Sequence, residues 1–265
     1  MSANLPQLGV LLWPSIRSLA YACVFRELDL WPNEVIWLEN SIENLPGLRH
    51  EAIRFHYEAF FDVSQDLLEL VRKNAVAFHR PGTADINSPQ VLHLISRCQT
   101  ENFVFTGGGI LRRELLGLGK RFIHVHPGII PEYRGSTCFY YSLLKDFSLG
   151  TTAFFMGEQI DAGDIMIQTR FRLNYLIRPD QPLFMDYVLD PYIRATTLKS
   201  VLNKLASSES IATWREDCET PFCYVMHPLL RHLTIHRINR EFDPKQPIGI
   251  FEMANSDRRG TGWQV

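Results

Sequence analysis

Several things are scarce in this 265-residue chain, and each scarcity excludes something. No apolar run approaches the eighteen or so residues of a membrane helix. Basic residues are not in excess: 27 Lys+Arg stand against 29 Asp+Glu, a net charge of −2. That balance gives no broad attraction toward phosphate backbones or anionic lipid, and no local basic patch stands out. The five cysteines, Cys23, Cys98, Cys138, Cys218 and Cys223, are odd in number and scattered through mostly apolar segments. They read as reduced, buried thiols of a cytoplasmic protein rather than as a disulfide framework. Cys218 and Cys223 are the nearest pair but lack the second Cys or His pair of a structural zinc site. The N-terminus has neither the basic flank nor the apolar stretch of a signal peptide. Internal repeats and low-complexity tracts are also lacking.

Two nucleotide-binding signatures are missing as well. The first strand-like run, Leu8 to Trp13, leads into Pro14-Ser15-Ile16-Arg17-Ser18 instead of Gly-x-Gly-x-x-Gly, which argues against NAD or FAD at the usual place. Thr106-Gly107-Gly108-Gly109 follows a strand and precedes a helix, yet has no Lys-Ser/Thr ending. Three glycines there fit the close approach of another segment or of a flat ligand better than a phosphate cradle.

What the chain does have is enough apolar material, 46% of residues, for one large domain or a domain with an appendage. Glu34 to Leu38, Ala75 to Phe78, Asn102 to Thr106 and Phe122 to Val125 join Leu8 to Trp13 as buried strands. Between them, Ser64 to Lys73, with Ser64 as N-cap, and Ser88 to Cys98 carry one-sided apolar stripes of helices. This alternation predicts an α/β fold, a Rossmann-like and mostly parallel sheet with helices on both faces. Thr151 to Met156 and Ile165 to Leu173, joined by a short polar loop, predict an antiparallel addition. A long helix is expected from Phe184 to Leu205. The expected organisation is a domain over residues 1–205 and a short C-terminal extension over 206–265.

The polar groups concentrate in Phe122 to Asp164. His124 and His126, two apart on a strand, point to one face, and Pro127 ends the strand directly after them. Strand carboxyl ends are where open α/β sheets bind ligands. A carboxylate in the loop Gly157 to Asp164 is placed to hold the tautomer of a strand-end histidine and raise its pKa, the arrangement of general acid/base chemistry. A metal site of His124, His126 and Asp161 is the alternative; the histidines at 50, 56, 79, 93, 227, 232 and 236 show no ligand pairing near this segment.

These residues resemble the signature of the folate-dependent formyltransferase family, Asn-x-His-Pro-Ser-Leu-Leu-Pro-x-Tyr-x-Gly, then Gly-x-Thr, then Leu-Asp-x-Gly-Asp-Ile. The matching stretches are His124 to Gly135, Gly150-Thr151-Thr152 and Ile160-Asp161-Ala162-Gly163-Asp164-Ile165, within a likeness running from Asn102 to Gln168. The resemblance implies a catalytic His126 with Asp161 as its partner carboxylate, and places His124 where the family has an oxyanion-binding asparagine. There a neutral imidazole with its N–H aimed inward, or an imidazolium, can donate to the oxyanion. It implies formyl-tetrahydrofolate as formyl donor, contacted by Gly109, Ile110 and Leu111 and by Gly157, Glu158, Gln159 and Ile160. Pro127, Gly128, Tyr133, Arg134 and Gly135 are the implied substrate-binding residues, and no metal is implied. Gly128 replaces the family's serine, which removes a hydroxyl and is expected to enlarge the folate pocket.

The tail after residue 205 carries 7 Lys+Arg and 8 Asp+Glu, too short and too balanced for the basic barrel of the tRNA-specific members. A core with a short tail looks most like the sugar N-formyltransferases. The expected partner is therefore a small-molecule amine, most closely an amino-sugar nucleotide, with neither nucleic acid nor membrane; a homodimer is left open. The competing expectations are a non-catalytic or hydrolytic folate-binding relative and a metal-dependent hydrolase.

Overall fold

A computed structural model describes residues 3–207, 211–217 and 219–253. Its centre is an eight-stranded sheet in the order β3-β2-β1-β4-β5-β6-β7-β8. The strands are β1 (Ala3–Leu12), β2 (Leu30–Trp37), β3 (Ala77–His79), β4 (Asn102–Phe105), β5 (Arg121–His126), β6 (Leu149–Phe155), β7 (Asp164–Asn174) and β8 (Gly249–Glu252). Neighbours from β3 through β5 run parallel, whereas β6, β7 and β8 are added antiparallel. Both the parallel portion and the antiparallel addition expected from the sequence are present.

Eight α-helices accompany the strands among the described residues: α1 (Ile16–Leu28), α2 (Leu45–Phe55), α3 (Leu67–Asn74), α4 (Pro89–Arg97), α5 (Arg113–Leu116), α6 (Cys138–Asp146), α7 (Asp190–Ala206) and α8 (Pro228–Arg240). Alternation along the strands divides the core. Val10, Val35, Val104 and Val125 face α1 and α7, while Leu11, Ile36, Phe103 and Phe105 face α4 and α5. The layers are helix, sheet, helix.

Several boundaries differ from the sequence reading. Asp66, not Ser64, caps α3 by accepting from Glu69 N at 2.8 Å, because Ser64 is engaged by Asp62 in the preceding turn. The expected helix from Phe184 opens with a π-helical turn, Met185–Leu189, and becomes α-helical at Asp190. Residues after 206 interlace with the earlier chain: Trp214 bridges Ile165, Cys223 bridges Gly135, α8 packs on α6, and β8 extends the sheet beside β7. Cys218 and the Asn255 to Gly262 end lie outside the described residues. No helix of the described residues is long and apolar enough to cross a membrane.

α1 and α7 pack on one another beneath β5, and a buried ion pair lies in their interface. Arg194 Nε donates to Asp190 Oδ1 at 2.8 Å, one helical turn away, and Arg194 Nη1 donates to the Val125 carbonyl at 2.7 Å. Removing one member of such a pair strands a charge without solvent. Arg194→Met is expected to lower unfolding stability by about 3–5 kcal/mol, measured by urea denaturation; Asp190→Asn paired with Arg194→Met is expected to recover part of that loss.

Candidate active site

The sheet order 3-2-1-4-5 reverses direction between β1 and β4, and a cleft of about 730 Å³ opens at the carboxyl ends of β1, β4 and β5. Ligands of open α/β sheets bind at such a switch point. Its floor holds Arg17 from the start of α1, His124 and His126 from β5, and Arg194 from α7; Asp161 stands on the wall.

His126 is almost fully buried. Its Nε2 lies 3.0 Å from the Tyr133 carbonyl, which assigns the ring proton to that nitrogen. Nδ1 is then the basic atom, and it faces Asp161 Oδ1 across 3.5 Å, beyond a good hydrogen bond but close enough to stabilise a proton arriving at Nδ1. Burial pushes the His126 pKa below the ordinary value near 6.5, against the raising influence of Asp161, so the resting ring is neutral. The expected pKa elevation by Asp161 is thus outweighed by desolvation.

Asp161 is placed by its turn. Its backbone is left-handed at φ 49°, its Oδ2 accepts from Gly135 N at 2.8 Å, and the Ile160 carbonyl accepts from Arg134 Nη2 at 2.8 Å. Two residues on, a Cβ at Gly163 would lie 1.7 Å from the Phe155 carbonyl oxygen, so only glycine lets the turn close against β6. The turn after His126 is fixed from the sheet side: Thr152 Oγ1 donates to the Gly128 carbonyl at 2.8 Å and accepts from Ile130 N, and Gln168 Nε2 donates to the Ile130 carbonyl.

Gly128 does not enlarge the cleft. A Cβ there would come 2.7 Å from the Tyr133 carbonyl oxygen and 2.9 Å from His126 Nε2, so the missing side chain makes room for the His126–Tyr133 hydrogen bond. Pro127 and Gly135 reach the cleft wall, whereas Gly128, Tyr133 and Arg134 stand behind it. Tyr133 bonds to Asp146, and Arg134 lies 4.5 Å from the Phe222 ring centroid while holding the Asp161 loop. Gly109, Ile110 and Leu111 and the stretch Gly157 to Ile160 all line the cleft.

His124 packs its ring against Phe105 and Phe154. Burial, followed by the charges of Arg194 and Arg17, holds its pKa well below the ordinary histidine value, which excludes a resting imidazolium. Its Nδ1 is buried without a hydrogen-bond partner among the described residues.

Phe222, Tyr224, Val225 and Arg231 also border the cleft, and sequence reasoning missed all four. They come from a stretch of mixed polarity whose only signal was isolated aromatic residues. Among the described residues, the one set of three metal-ligating side chains with ligand atoms within 4.8 Å is Glu34, His79 and Cys98, which excludes His124, His126 and Asp161 as a three-ligand set in this conformation. Glu34 there already accepts from the Thr100 N–H at 3.1 Å and the Thr100 hydroxyl.

Residues 88–175 match the sequence model of the family described as formyl transferase. The methionyl-tRNA formyltransferase of Treponema pallidum (strain Nichols) is 40% identical over 72 residues, 26% of this chain and 23% of that protein. The enzyme of the same name from Borreliella afzelii (strain PKo) is 33% identical over 110 residues, 40% and 34% of the respective chains. The chain thus aligns with only about a quarter to a third of these relatives' length. A solved glycinamide ribonucleotide transformylase 1 from Symbiobacterium toebii matches the fold with a TM-score of 0.50 at 14% identity, covering 81% of this chain and 94% of that one. A 4-N formyltransferase from Francisella tularensis matches with a TM-score of 0.50 at 12% identity over 89% and 88%. The segment that matches the formyl transferase family model contains β5, β6 and β7, where the sheet turns antiparallel and the His126–Asp161 pair is built.

Proposed function

We propose that this protein moves a formyl group from formyl-tetrahydrofolate to the amine of a small molecule. The observation that carries the proposal is the neutral His126, with its basic Nδ1 facing Asp161 on a cleft wall. The donor fits against the Gly107 to Leu111 stretch of the cleft. The position a Cβ would take at Gly108 is open, and Ile110, exposed and apolar, lies beside it, a setting for a flat ring.

When bound, formyl-tetrahydrofolate supplies an electrophilic formyl carbon and a nitrogen leaving group. His126 Nδ1 would take the proton released as the acceptor amine attacks and return it to the departing folate nitrogen as its bond to the formyl carbon breaks, with Asp161 stabilising the intervening imidazolium. The Nε2–H bond to Tyr133 keeps the ring from turning meanwhile. The family's oxyanion-binding position holds His124 in place of asparagine, so a folate-binding relative that transfers nothing, or that hydrolyses, is the reading that competes.

An amino-sugar nucleotide fits as acceptor, since Phe222 and Tyr224 stand exposed at the cleft rim where a base can stack. The free thiols of Cys23, Cys98, Cys138 and Cys223 fit a reducing compartment such as the cytoplasm.

Formyl transfer read by mass spectrometry across amino-sugar nucleotides and amino acids tests the proposal; absence of a formylated product with any amine, while formyl-tetrahydrofolate binds, leaves the relic. His126→Ala is expected to lower kcat by about 10²- to 10⁴-fold with KM for the donor little changed. Since burial lowers the His126 pKa, the acid limb of the kcat profile is expected below pH 6.5, activity being lost as pH falls and Nδ1 is protonated before the reaction. Asp161→Asn removes the influence that raises that pKa, so the limb shifts to still lower pH while the maximal rate drops. Gly128→Ala, by forcing apart His126 and Tyr133, is expected to destabilise the fold by about 1–3 kcal/mol in denaturant melts, and to lower kcat more than KM.

A further inference from the structure

Arg17 Nε and His124 Nδ1, on side chains that line the cleft, and the Tyr21 hydroxyl behind them are buried without a hydrogen-bond partner among the described residues. Arg17 and Tyr21 are four residues apart on α1 and so lie on one helical face. That helix packs on α7, which contributes Arg194 and Asp190, and these four side chains lie within one another's electrostatic reach.

The charges at this floor do not balance. Asp190 is engaged by Arg194. Arg17 has no carboxylate within ion-pair distance among the described residues; its Nη1 donates to the carbonyl oxygens of Thr106 and Gly107, at 3.3 and 3.1 Å. Burial and the neighbouring Arg194 bring the Arg17 pKa down to about 10, so the guanidinium remains charged at neutral pH. A desolvated cation without an anion costs several kcal/mol unless a ligand supplies one. Tyr21, fully buried, offers an O–H donor beside it.

We infer that this floor is a subsite for an oxyanion, a carboxylate or phosphate carried by the amine acceptor, held by Arg17 and Arg194 with the Tyr21 hydroxyl behind them. The inference rests on the formyl-acceptor reading of the cleft and adds a requirement to it: the acceptor carries an acidic group near its amine. Planar guanidinium forks and buried hydroxyls select oxyanions by charge-assisted hydrogen bonds, so neutral amines of equal size are rejected.

The test is binding, so it does not depend on turnover. Acetate and inorganic phosphate are titrated calorimetrically into the full chain, in parallel with formyl-tetrahydrofolate. At least one anion is expected to bind at millimolar concentration, more weakly as sodium chloride is raised, and which of the two binds tells carboxylate from phosphate. Arg17→Gln is expected to weaken that binding roughly 10- to 100-fold, the loss of a charge-assisted hydrogen bond. Tyr21→Phe, which leaves the ring packing intact, is expected to weaken it several-fold, and Arg17→Lys to fall between wild type and Gln. Should Arg17→Gln not fold, the Lys and Phe variants decide alone. Failure of both anions to bind, or equal affinities across the variants, overturns the subsite while leaving formyl transfer standing. Anion binding without any folate binding does the reverse.

Discussion

Arg194 is the side chain on which both the shape and the charge of the site depend. Its Nη1 reaches the carbonyl of Val125, the residue between the two histidines, and thereby ties β5 to α7 at the point where His124 and His126 emerge. Its Nε takes up the Asp190 carboxylate, so the buried pair satisfies itself within one helical turn. The same cation lies near both imidazoles and opposes a proton on either. Desolvation is the larger influence on both rings, and Arg194 acts in the same direction. A single residue from α7 thus supplies anchoring and electrostatic bias that no local motif around the histidines could provide.

The fixed spacing of the signature has its origin in sheet register. His126 on β5 pairs with Thr152 on β6, and Thr152 pairs in turn with Gln168 on β7, a row across three strands. Thr152 and Gln168 use their side chains to clamp the turn from Gly128 to Ile130. The connection between β6 and β7 then brings Asp161 back over His126, with Gly163 closed against Phe155. Inserting one residue into either connection would shift a pleat and turn side chains to the opposite face.

Legibility in the sequence followed physical contrast. Helices α3 and α4 were readable because each has one apolar stripe, and the strands because short apolar runs ended in turn residues. Helix α1 went unread: buried on nearly every side between the sheet and α7, it carries no stripe, and its first turn was weighed only as a failed nucleotide-binding motif. Arg17 and Tyr21 were lost with it. His126 and Asp161 were legible since their motif is local, whereas the neutral state of His124 depends on burial and on cations distant in sequence. The role of Gly128 was misread because a glycine's meaning lies in what would meet its missing side chain.

The cleft is assembled from pieces with different degrees of constraint, and this bears on which parts can set specificity. Gly107 to Leu111 and Gly157 to Ile160 form one wall, directly continuous with β4 and with the turn that places Asp161. The facing rim comes from Phe222, Tyr224 and Val225, whose side chains are largely exposed and whose backbone is held through the Cys223 bridge to Gly135 and the Thr137 hydroxyl bond to the Tyr224 carbonyl. A substitution on the first wall moves the catalytic carboxylate of the proposed reaction, while one on the rim changes an exposed surface and leaves its backbone anchors in place. Under the formyl-transfer proposal, the acceptor's bulk is then discriminated by the late segment and its amine and acid by the buried floor. The two are coupled at Phe222, whose ring lies against Arg134, the residue that holds the Ile160 carbonyl beside Asp161.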